Sequence, residues 1–181
     1  GILDLFARLA AAAPAAGGQV IALNGNHEVM NVQGDFRYVT PGAIGDFVGV
    51  RPRSPQASQS PSTFEDRAGA FLPGGAYARA LAERDVVAVV GDSLFVHGGV
   101  SPAHVRFGLE RINKETQQWM LGVTRGVPES VANDALPIWM RDFLAGRGCD
   151  EAQGYLFARP MPAEAFGSLL AGSAIKRKTA A

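Results

Sequence analysis

The stretch Val20-Ile21-Ala22-Leu23-Asn24-Gly25-Asn26-His27-Glu28 decides how this chain is read. An apolar run that stops at polar, metal-binding side chains reads as a buried strand, residues 19–23, ending where open α/β sheets place their chemistry. Gly25 lets the backbone turn tightly and approach another group closely. Asn26 offers a neutral amide oxygen, a hard, weak ligand suited to a site shared with carboxylates and imidazoles. His27 brings a ring that binds metal or passes protons near neutral pH. Further on, Leu94-Phe95-Val96 reads as a second buried strand and runs straight into His97-Gly98-Gly99. Here an imidazole sits at a strand tip with two glycines behind it, which leaves open space for a ligand. Either motif alone is a weak signal, and a lone Asn-His pair reads sooner as a polar turn with a surface histidine. The two together, in this order, point to a common cation.

Around these motifs the pattern is that of an α/β chain. Ile2, Leu3, Leu5, Phe6 and Leu9 share one helical face, so residues 2–13 read as a helix, ended by Gly17-Gly18. Residues 24–40 read as a loop with room for a short helix. The segment 51–63 is rich in Pro, Ser and Gln without periodicity and is expected to be an exposed, mobile insertion. A helix is expected from Ser62, with Glu65 completing a capping box. Pro73-Gly74-Gly75 breaks it, and Ala76 to Glu83 resume as helix. Val86 to Val90 is a β-branched strand. It is followed by the turn Gly91-Asp92-Ser93 and the paired strand 94–96. Ser101-Pro102 opens a further helix whose apolar stripe is Val105, Leu109, Ile112, Trp119 and Met120, with His104 on its surface. Helices are also expected near 135–145 and 162–171.

With 181 residues, one domain with its own core is expected over 1–181. Lys and Arg number 17, as do Asp and Glu, so the formal charge is zero. That balance argues against nucleic acid as partner, which demands surplus positive charge. No apolar run reaches the roughly 20 residues that cross a bilayer, so no membrane association is expected. Cys149 is the single cysteine, which precludes an internal disulfide and fits a reducing compartment, cytoplasm or organelle stroma.

The residues from Asn24 to Asn31, continuing through Gly34-Asp35-Phe36-Arg37-Tyr38-Val39, resemble the calcineurin-like metallophosphoesterase superfamily. Within it the likeness is to the phosphoprotein phosphatase branch, and most of all to the bacterial-type, Shewanella-like protein phosphatases. Phe71-Leu72-Pro73-Gly74-Gly75, Gly91 to Val100, Ile112-Asn113, Trp119-Met120 and Pro137 to Arg141 carry the same likeness. The resemblance implies an α/β sandwich of mixed sheets flanked by helices. It also implies two divalent ions, manganese, iron or zinc, that activate a water for in-line attack on a phosphomonoester. By motif, Asn26 and His97 would ligate one of these metals. His27 would protonate the departing oxygen or help hold the phosphate, and Glu28 would orient the loop by hydrogen bonding. Arg141 would clamp phosphate oxygens, unless it is a helix-surface arginine in an ion pair. Asp35 and Arg37 are weaker candidates at the mouth of the site.

The implied substrate is a phosphorylated protein, bearing phosphoserine, phosphothreonine or phosphotyrosine, with a small phosphomonoester such as a nucleotide as the alternative. Two family motifs, Gly-Asp-x-His-Gly and Gly-Asp-x-x-Asp-Arg-Gly, do not occur in this sequence, nor does the Val-Val-Gly-His-Thr-like strand. Gly91-Asp92-Ser93-Leu94 does not replace them, because it follows Asn26. The chain is therefore expected to be an incomplete domain missing its first βαβ strands, inactive by itself, or a remnant that acts as a binding module.

Overall fold

The computed structural model describes residues 1–57 and 64–132. They combine short helices with one two-stranded sheet. Helix α1 spans Ile2–Ala12, α2 Asn26–Gln33, α3 Pro41–Ile44, α4 Glu65–Phe71 and α5 Ala76–Ala82. Strands β1 (Val87–Val90) and β2 (Ser93–Val96) follow, then α6 (Pro102–Phe107), α7 (Leu109–Met120) and α8 (Glu129–Ala132). The helices expected near 135–145 and 162–171, together with Ser62, Arg141 and Cys149, lie outside the described residues.

Val29 and Val32 of α2, Phe71 of α4, Leu81 of α5, Val86 and Val87, and Ile112, Trp119 and Met120 of α7 close one hydrophobic core. Their burial is the main favourable term holding these short helices together, since none is long enough to persist alone in water. Helix α1 docks through Leu3, whose carbonyl accepts from Arg84 (2.9 Å), and through Asp4, whose carboxylate accepts from Tyr77 (3.0 Å). Its Ile2, Leu5, Phe6 and Leu9 stay exposed.

The expected hairpin is present. β1 and β2 pair antiparallel, Val87 opposite Val96 and Val90 opposite Ser93, across a two-residue turn. The expectation that both motif-bearing strands are buried does not hold. Residues 19–23 form no strand, and Ile21 is 44% exposed. A strand exists only where a neighbour takes up its backbone groups, and no described strand lies against this run. Likewise Val89 (63%) and Phe95 (52%) of the hairpin face solvent.

Two asparagine side chains anchor these segments instead. Asn24, buried, donates through Nδ2 to the carbonyls of Leu81 and Arg84, both at 2.9 Å, and its N–H bonds the Asp85 carbonyl at 2.8 Å. Asn113 of α7 accepts from the N–H groups of Val86 (2.9 Å) and Val87 (3.1 Å) and donates to the Val87 carbonyl (2.8 Å). Its amide thus occupies the start of the β1 edge as a peptide of an adjacent strand would.

The single helix expected from Ser101 to Met120 is two, broken at Gly108. That residue holds φ +103°, a conformation side chains other than glycine rarely adopt. The break turns Val105 out to solvent, while Ile112, Trp119 and Met120 remain buried. Ser101 caps α6 as expected, accepting from the His104 N–H at 3.4 Å. His104 is not a surface residue. It is 6% exposed, and its Nδ1 accepts the Ser101 N–H at 3.0 Å, closing the cap from the other side. In the stretch expected to be exposed, Ser54 and Ala57 are buried. The Ser54 hydroxyl donates to the Pro73 carbonyl (2.7 Å) and Arg53 pairs with Asp66 (2.7 Å), which pin residues 51–57 to α4 and the turn that follows it.

Two outcomes follow. Asn113→Ala strands three backbone groups at the root of the hairpin and should cost about 2 kcal/mol, read as a lower urea midpoint at unchanged slope. Burial holds the pKa of His104 below its ordinary 6.5 because it disfavours the charged ring. The unfolded chain therefore takes up this proton at a higher pH than the folded one. The contribution is present above pH 6.5 and is lost as pH falls through that value toward the lower folded pKa. The melting temperature of His104→Leu should accordingly depend less on pH below 6.5 than that of the parent chain.

Candidate active site

The site begins where the unpaired segment ends. Gly25 is the N-cap of α2, and the Glu28 carboxylate reaches back to accept its N–H at 2.9 Å. This one-armed cap helps fix the turn, and Asn26 and His27 occupy the first two positions of the helix rather than a loop. The hydrogen bond that Glu28 makes is to the Gly25 amide. His97 arrives from the end of β2. Its Nε2 lies 3.0 Å from Asn26 Oδ1. The two side chains converge at one end of their elements.

Gly25 makes that approach feasible. A Cβ added there would stand 3.0 Å from the Cγ of His97 and 3.1 Å from Nδ1. Any larger residue would press on the ring that meets Asn26. The glycine serves for clearance and not, as the sequence suggested, for a tight turn, since its φ of −108° is open to any residue.

His27, exposed, packs its ring 5.5 Å from that of Tyr38 at 35°. Asn31, one turn on, donates to the His27 carbonyl at 2.7 Å and accepts from Arg67 Nε at 2.9 Å. Asp35 and Arg37 are spent on each other in a two-pronged pair of 2.9 and 2.6 Å. Those bonds hold the Asp35 carboxyl below its ordinary pKa. Arg141 lies outside the described residues.

Sequence reasoning missed Arg67. It is 9% exposed, its Nη1 donates to the Ala43 carbonyl at 3.0 Å, and its guanidinium lies over the rings of Phe47 and Phe71, each 4.8 Å away. Nothing in the local pattern of α4 marks it, because its partners come from α2, α3 and the core.

An amide oxygen and an imidazole nitrogen 3.0 Å apart can each turn a lone pair to one cation. Among the described residues no cluster of three or more His, Cys, Asp or Glu side chains could hold a metal ion. The described part of the site therefore offers two neutral donors and no bridging carboxylate.

No protein-family model matches the chain. No solved structure matches it either. Among curated proteins, it is 36% identical over 173 residues to Shewanella-like protein phosphatase 2 of Arabidopsis thaliana, a match covering 78% of this chain and 44% of that protein. It is 32% identical over 121 residues to an uncharacterized protein of Acanthamoeba polyphaga mimivirus, covering 61% of this chain and 46% of that one. The chain spans less than half the length of either relative. The paired motifs and the length of the match make this chain a relative of the Shewanella-like protein phosphatases.

Proposed function

We propose that the protein acts as a phosphatase on phosphomonoesters, with phosphoserine, phosphothreonine or phosphotyrosine of proteins as substrate, and that its full fold is the metallophosphoesterase α/β sandwich. The observation that carries this reading is the 3.0 Å meeting of Asn26 Oδ1 and His97 Nε2 at the end of the hairpin. The kinship with a protein named as a phosphatase supports it. In this reading Asn26 and His97 are two ligands of a dinuclear centre of manganese, iron or zinc. Bound metal would supply an activated water and neutralise phosphate charge.

The chain's own residues have separate roles. His97 presents Nε2 as the second donor beside Asn26 Oδ1. His27 stands on the solvent side of the same helical turn, free to give a proton to the departing oxygen or to bond the phosphate. Glu28 keeps the turn in register through the Gly25 amide. Arg141 is proposed as a phosphate clamp.

A second reading concerns this chain by itself. The two neutral donors among the described residues, without a carboxylate beside them, would hold a divalent ion weakly, so that the chain alone would be inactive and act at most as a binding module.

The test uses the protein expressed from its natural reading frame, with p-nitrophenyl phosphate as substrate and metal content measured in parallel. His97→Ala should lose both metal and turnover. His27→Ala should keep its metal and slow turnover on the order of 10²–10⁴-fold, as loss of a proton donor does. Equal metal loss in both variants contradicts the division of roles, and full activity in His97→Ala removes the reading altogether.

A further inference from the structure

A cavity of about 310 Å³ opens beside His27, walled by Tyr38, Met30, Thr40, Ala43, Phe71 and the guanidinium of Arg67. That is the low end of volumes that hold a small ligand. The arginine is the unusual feature. It is more than nine-tenths buried, yet among the described residues no carboxylate lies within ion-pair distance, and Asp46 acts on it only from farther off. Buried charges are ordinarily paired. Here Nε and Nη1 are taken by Asn31 and Ala43, three aromatic rings surround the cation, and Nη2 has no hydrogen-bond partner among the described residues. Two carboxylates also line the cavity, and both are engaged elsewhere: Glu28 on the Gly25 amide and Asp35 on Arg37. The site is thus a fixed cation with one open donor, in a pocket shared with the proposed proton donor.

We propose that this cavity receives an oxyanion carried by the substrate beside the reacting phosphate, a side-chain carboxylate or second phosphate of a phosphopeptide, with Arg67 Nη2 as its donor. The inference rests on the phosphatase reading for the substrate, though not for the anion. The rings and the two carbonyl-type acceptors hold the guanidinium in one orientation, so the anion meets a preorganised donor rather than ordering a mobile side chain. Such charge-assisted bonds are the strong ones, and discrimination of roughly tenfold is the expected scale.

The experiment has two arms. In the first, the protein in EDTA is melted in rising inorganic phosphate, and separately acetate, against chloride of equal ionic strength. A saturable rise in melting temperature is expected for the parent chain. It should vanish in Arg67→Gln and in Ala43→Phe, which fills the cavity and leaves the arginine in place. In the second arm, kcat/KM is compared for two phosphopeptides that differ by glutamate or glutamine next to the phosphoresidue. A glutamate preference of roughly tenfold is expected, falling to parity in both variants. No saturable rise in the parent chain, or a rise that survives in the variants, overturns the proposal. So does oxyanion binding without any peptide preference, which would make the cavity a site for free anions. If Arg67→Gln does not fold, Ala43→Phe decides. If no phosphoester is turned over, the phosphatase reading fails and the melting arm still decides whether the cavity takes an oxyanion.

Discussion

The arrangement depends on one buried amide. Asn24 sits where the apolar run 19–23 meets the motif, and its Nδ2 is held by two carbonyls at the end of α5. Two carbonyl partners also fix which end of the amide is nitrogen. Its backbone N–H is bonded to Asp85, two residues before β1. The segment that delivers Asn26 is therefore tied directly to the segment that starts the hairpin delivering His97. The attachment is strong enough to leave Asn24 Oδ1 buried without a partner among the described residues, an ordinarily costly state.

Asn113 makes the matching attachment on the far side. By bonding the backbone at Val86 and Val87 it terminates the β1 edge against α7, while Ile112, Trp119 and Met120 of that helix bury themselves in the core. One asparagine side chain, Asn113, thus stands in for a strand neighbour of β1, and the other, Asn24, ties the first motif to the end of α5. The hairpin root is fixed by polar contacts and its outer half, with Val89, Val90, Leu94 and Phe95 exposed, projects from the core. Position at the site is accordingly set by the ends of elements that are anchored, not by a surrounding sheet.

The motifs were legible because their chemistry is local. Asn26, His27 and Glu28 are consecutive, the capping carboxylate lies three residues from the amide it accepts, and the hairpin is announced by Val86 to Val90 and a two-residue turn. Ser101 as N-cap was readable on the same grounds. What could not be read depends on distant partners. The run 19–23 has the composition of a strand, and composition says nothing of whether a neighbour is there to pair with it. The burial of His104 is set by the helix pair around it, and the break at Gly108 competes with an apolar stripe that continues across it. Arg67 draws its partners from Asn31, Ala43 and the rings of Phe36, Phe47 and Phe71, so no window of α4 reveals it.

The clearance at Gly25 has a consequence for how the two donors are spaced. The imidazole of His97 rests against a position occupied by a hydrogen atom, with no more than 3.1 Å between a would-be methyl carbon and the ring. A single methyl group introduced there would displace the His97 ring by a few tenths of an ångström while Asn26 and His97 themselves stayed unchanged. The spacing of these two side chains is thus set in part by a residue that has no side chain, and an inventory of polar residues would overlook it.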